Sequence, residues 1–113
     1  MSGAALAWRD ALAKLPTRDG KRFVETFAHG SLVVELYAPR GLDPQTPHAR
    51  DELYVVVAGR GTFECDGERF AFATGDALFA RAGAVHRFVD FSDDLAVWVM
   101  FYGAEGGEAT SRD

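Results

Sequence analysis

The sequence predicts an all-β domain, a small antiparallel β-barrel or jelly roll with one short helix at its N-terminus. Three observations predict it. Short apolar runs recur from Lys21 to Tyr102, about eight or nine in all, at the spacing of strands. Glycine-containing turns separate them. One of these, Asp66-Gly67, is a hairpin signature, because both central residues of a type I′ turn need positive φ. No stretch after Pro16 keeps the 3.6-residue period of a helix.

At the N-terminus Ser2 is placed to cap a helix running to about Leu15, where Pro16 stops it. Ala5, Trp8, Leu12 and Leu15 would form its apolar stripe, a face for packing on the barrel. Thr17-Arg18-Asp19-Gly20 reads as a turn. Residues 22–27 and 32–37 are strands separated by His29-Gly30. The segment 38–47 holds Pro39, Pro44, Pro47 and Gly41 and reads as a loop. Leu53 to Val57 is a strand, followed by the hairpin 62–72 around Asp66-Gly67. Gly75-Asp76 turns the chain into Ala77 to Ala80, and residues 87–91 and 95–102 complete the set. The expected division is a helix packing on the barrel over 1–16, the barrel over 17–103 and a flexible tail over 104–113. Leu95 to Tyr102 is apolar on both faces, so its outer face needs cover from the N-terminal helix or from a second subunit.

Length and composition narrow the function classes. A chain of 113 residues forms one domain with one core. A net charge of −5 argues against nucleic acid, whose phosphates call for a basic face. The single Cys65 has no partner for an internal disulfide. No basic and apolar leader opens the chain, and no apolar run has membrane-spanning length, so a cytoplasmic protein with no membrane partner is expected.

The chemistry concentrates in two segments. His48 and Glu52 open an apolar strand pattern, and His86 follows the Gly83 turn downstream. Two imidazoles and one carboxylate brought together have the composition that holds iron(II), manganese or zinc with positions left open. On a regular strand residues 46, 48, 50, 52, 54 and 56 share a face, which would place Tyr54 beside Glu52. Arg50 and Arg81 are candidate anion-binding groups whose plainer reading is that of solvated charges. His29 reads as a turn residue.

The two segments resemble the motifs of the cupin superfamily. The first cupin motif is a His-x-His pair, a Glu four residues after the second His, and a Gly seven residues further on; His48, Glu52 and Gly59 match its last three positions. The second runs from a Gly through a Pro-x-Gly turn to a His; Gly75, Gly83 and His86 match its spacing. Thr46 stands where the first His belongs, Arg81 replaces the Pro, and Asp90 replaces a later Asn. The resemblance implies that His48, Glu52 and His86 are three of the family's four ligands to a divalent transition metal (Fe, Mn, Zn or Ni). Thr46 in the fourth position is a poor ligand. Three outcomes stay open: three ligands with water completing the site, a fourth ligand from Gln45 or Asp51, or a polar pocket without metal.

The function so implied is a small metal-binding cupin holding a small organic molecule in its barrel, with Arg50, Tyr54 and Thr46 as substrate-binding candidates. Oxygenase, isomerase and cyclase chemistries are all compatible. No further His or Glu marks itself by spacing as a general base, which favours metal-centred over protein-centred chemistry. The alternative is a non-catalytic sensor or carrier that has lost its metal. The resemblance also implies a homodimer, since small cupins commonly dimerise.

Overall fold

The computed structural model describes residues 2–109. One short helix, α1 (Trp8–Leu12), precedes eight strands: β1 (Phe23–His29), β2 (Leu32–Tyr37), β3 (Asp51–Ala58), β4 (Arg60–Cys65), β5 (Glu68–Ala73), β6 (Ala77–Ala80), β7 (His86–Val89) and β8 (Ala96–Tyr102). They form two antiparallel sheets, one of five strands in the order β1-β2-β8-β3-β6 and one of three in the order β5-β4-β7. The result is a jelly roll; ladder hydrogen bonds do not close the two sheets into a continuous barrel.

Alternation explains which side chains fill the space between the sheets. Along β3, Glu52, Tyr54 and Val56 are buried, while Leu53 and Val55 are only half-buried. Along β7, His86 and Phe88 are buried, with Arg87 exposed between them. Tyr54, Phe63, Phe72 and Phe88 pack edge-to-face or tilted at the centre, with ring centroids 5.1–5.5 Å apart. Aromatic pairs in these arrangements add to what their burial alone contributes.

The hairpin forms as its dipeptide demands. Asp66 (φ 48°) and Gly67 (φ 85°) both lie in the left-handed region, and Cys65 pairs with Glu68 across them. Gly59 has a different reason to be glycine. A Cβ there would meet Ser92 Oγ at 2.7 Å and the Leu95 backbone at 2.9 Å, so the β3–β4 connection passes too close to the 92–95 turn for any side chain.

One local expectation is corrected. The helix is five residues long, not fourteen or so; its N-cap is Ala7, and Ser2 caps nothing. So short a helix does not sustain itself, and it holds through contact with β2. Ala11, outside the expected stripe, is its buried residue; Trp8 and Leu12 are half-buried and Ala5 is exposed. After β8 the chain folds back, with Gly106 N–H donating to the Ala49 carbonyl (2.7 Å) and Glu108 N–H to Asp51 Oδ2 (2.9 Å). The remainder, residues 110–113, lies outside the described residues.

Candidate metal centre

Glu52 stands at the centre of the site. It sits on the inner face of β3 with 1% of its surface exposed, and its Oε1 meets His48 Nδ1 at 2.9 Å and His86 Nε2 at 2.8 Å. One potential ligand atom from each of the three residues lies within 4.8 Å of the others. The sequence spacing therefore brings together the residues it nominated, from three places: β3, β7 and the loop before β3.

The two imidazoles are held differently. His86 is 3% exposed, and its Nδ1–H donates to the Ala84 carbonyl at 2.9 Å. That bond fixes the tautomer: in a neutral ring Nε2 then carries a lone pair. Nε2 is 2.8 Å from Glu52 Oε1 yet is not aligned for a hydrogen bond, and Glu52 Oε2 has no partner at all. A lone pair facing a carboxylate in a buried site is repulsive unless a cation, proton or metal, lies between them. Burial disfavours the His86 imidazolium, but Glu52 and the Ala84 carbonyl outweigh it and raise the His86 pKa above its ordinary value. Glu52 shows the complementary shift: burial pushes its pKa up, the contacts with His48 and His86 push it down, and the contacts win. The three side chains thus form a buried seat for positive charge, and a divalent metal with nitrogen and oxygen ligands fits its donor set.

His48 lies on the loop rather than on the strand, because β3 begins at Asp51. About a third of its side chain (34%) is exposed, with the Phe101 ring edge-on to it at 5.2 Å. The regular-strand expectation for residues 46–50 is corrected here. Thr46 is exposed, and Arg50 does not share the buried inner face of Glu52 as a regular strand would require; its Nε and Nη2 are buried without a hydrogen-bond partner.

Beside the site the loop is fastened by Asp43, which sequence reasoning missed. It is 4% exposed and accepts hydrogen bonds from Tyr37 OH, from Gln45 N–H (3.2 Å) and Gln45 Nε2 (2.7 Å), and from the Phe88 N–H two residues beyond His86 (2.7 Å). Gln45 Oε1 in turn accepts from Tyr54 OH at 3.0 Å. Asp43-Pro44 reads in sequence as an ordinary turn, so nothing there signals a buried carboxylate. These bonds also remove the two candidate fourth ligands. Gln45 is committed to Asp43 and Tyr54, and Asp51 accepts from the Ala82 and Glu108 N–H groups at 2.8 and 2.9 Å. Tyr54, fully buried, supports the loop from below instead of lining the cavity.

A cavity of about 730 Å³ opens beside His48. Thr46, Phe101, Val99 and Tyr37 line it, together with Glu35, another residue the sequence reading passed over. Glu35 interrupts an apolar strand, and that interruption was the available signal. Burial raises its pKa above the ordinary carboxylate value; the nearby His48 opposes this, and Glu25 and Glu52 add to it. Arg81 is 71% exposed and pairs with Asp66 at 3.3 Å, away from this cavity.

Comparison with known proteins agrees with this fold. The family model of the Cupin domain matches residues 33–102. The uncharacterized protein SCO3923 of Streptomyces coelicolor is 35% identical over 91 residues, covering 79% of this chain and 86% of its own. A cupin-2 domain protein of Shewanella frigidimarina superposes with a TM-score of 0.68 at 12% identity, covering 87% of this chain and 94% of its own. A chain from the crystal structures of the DMSP lyases RdDddP and RnDddQII gives a TM-score of 0.60 at 25% identity, covering 74% of this chain and 47% of its own. By its sequence match and its two-sheet architecture, the chain belongs to the cupin domain family.

Proposed function

We propose that this protein is a metal-binding cupin in which His48, Glu52 and His86 hold a divalent transition metal and the adjoining cavity holds a small organic molecule. The observation that carries the reading is the buried, unaligned pair of His86 Nε2 and Glu52 Oε1, with Glu52 Oε2 unpartnered. Iron, manganese, nickel and zinc all suit a donor set of two imidazoles and one carboxylate. Such an ion, when bound, supplies Lewis-acid polarisation of a substrate oxygen or a place for dioxygen.

The chain's own residues have separate duties. Glu52 provides the negative charge, His86 is oriented by the Ala84 carbonyl, and Asp43 ties the loop carrying His48 to β7 beside His86. Phe101 and Val99 give the cavity an apolar wall beside His48. Oxygenase, isomerase and cyclase chemistry fit such a site, and the likeness to a chain from DMSP lyase structures adds lyase chemistry to these. A second copy of the chain is proposed to cover Trp98 and Met100, half-buried on the outer face of β8. Among the described residues, no helix is long and apolar enough to cross a membrane.

The second reading, a metal-free binding protein, is favoured by one observation. If His86 is protonated, the ion pair at 2.8 Å and the His48–Glu52 bond at 2.9 Å neutralise the site from within. Reconstitution separates the two. Chelator-treated protein is titrated with Fe(II), Mn(II), Ni(II) and Zn(II) while its melting temperature is followed. A saturable rise with one of them supports the metal centre. No rise with any, together with stabilisation by small organic molecules alone, supports the metal-free binder.

A further inference from the structure

The wall of the cavity beside His48 carries Lys21, Arg22 and Arg40, three cations gathered in a chain of net charge −5. Backbone carbonyls hold the two guanidiniums in place. Arg22 Nε donates to Ala38 at 2.7 Å, and Arg40 Nη1 donates to Pro39 at 2.9 Å and to Leu95 at 2.8 Å. These acceptors orient the arginines without neutralising them. Among the described residues no carboxylate stands within ion-pair distance of either, whereas Lys21 has Asp19 at 3.6 Å out in solvent. Burial and the charge of Arg22 both push the Arg40 pKa down; Asp94 and Asp93 oppose this from beyond ion-pair distance. Two like charges therefore stand at one cavity wall, with N–H donors to spare and, among the described residues, no carboxylate paired to either.

The rest of the wall fits the body of an organic anion. Phe23, Leu42, Val99 and Phe101 are apolar, and Glu35, the one acidic side chain in the lining, has its charged form opposed by burial. We infer that the cavity selects a small organic anion, its carboxylate or phosphate seated on Arg22 and Arg40 and its apolar body extending along Val99 and Phe101 to His48. The inference rests on the reading of this cavity as a small-molecule site and names the class of molecule. Guanidinium forks match both oxyanions, and because these two are already oriented, little side-chain freedom remains to be lost on binding.

The test uses the full chain, as purified and after chelation, with three probes that each carry six carbons: hexanoate, hexyl phosphate and hexanamide. Binding is measured by calorimetry for the wild type, Arg22→Met and Arg40→Met, with Arg22→Lys as the control that keeps the charge. Melting temperatures without ligand identify any variant that has lost its fold. One of the two anions is expected to bind about tenfold or more tightly than hexanamide in the chelated protein, and the tighter of the two names the headgroup. Arg22→Met should abolish that preference, and Arg22→Lys should retain part of it. Equal binding of hexanamide and the anions would overturn the anion seat while leaving the cavity as a small-molecule site. An anion preference that survives Arg22→Met and Arg40→Met in folded protein would also overturn it. Binding of none of the three probes would remove both the seat and the cavity reading, with the metal titration standing as a separate result.

Discussion

The two histidines of the site lie about equally close to Glu52 and are built in opposite ways. His86 is on a strand, buried, and held at its far nitrogen by the Ala84 carbonyl; His48 is on a loop, a third exposed, with an aromatic edge for company. A ligand held by a second bond is pre-organised and keeps its position with or without an ion. One carried on a loop can move, and it is the one that faces the cavity. On the proposed metal-binding reading, the difference would assign retention of the metal to the Glu52–His86 side and adjustment to an incoming molecule to the His48 side.

Several variants would break or sharpen this division, beginning with the largest effect. Glu52→Ala removes the only carboxylate among the three, and metal affinity measured by chelator competition should fall by more than about 100-fold, beyond the range for residues that merely orient a ligand. Asp43→Ala leaves the Phe88 N–H and the Tyr37 hydroxyl without their buried acceptor. It should cost about 2–4 kcal/mol in denaturant unfolding, because unsatisfied buried donors keep their full desolvation penalty. His86→Ala should weaken metal binding about tenfold more than His48→Ala, since water can reach the exposed position more easily. Equal losses would erase the distinction between the two sides.

Glu35→Gln should give the smallest effect. Its folded-state pKa is raised by burial, so the protonated form fits the folded protein better than the charged one. The stability this contributes is fully present below the ordinary carboxylate pKa and is lost as pH rises through the raised value. In chelated protein the Gln variant should therefore gain stability over the wild type as pH rises through that window. A difference independent of pH would mean that Glu35 is not opposed by its surroundings.

How much of this was legible in the sequence depends on the range of the interaction. The Asp66-Gly67 turn and the alternation of Glu52, Tyr54 and Val56 are local patterns, and each appears in the fold where the sequence placed it; His86 joins His48 and Glu52 from a distant segment, which only the pairing of two motifs could signal. Arg50 departs from strand parity because residues 49 and 50 bend before β3 begins. Arg22 and Arg40 were not singled out, since only the folded sheet and loop bring them to one wall. Asp43 carries no periodic signal; its partners Tyr37 and Phe88 lie 6 and 45 residues away. The helix is shorter than its apolar spacing suggests because that spacing does not supply the packing needed to stabilise it.

The most direct test of the account is the metal content per chain of untagged protein, measured side by side for the wild type and His86→Ala after reconstitution and desalting. The account predicts close to one divalent transition metal per wild-type chain and a large loss in the variant. Wild-type protein that takes up no metal, or a variant that retains as much as the wild type, would contradict it.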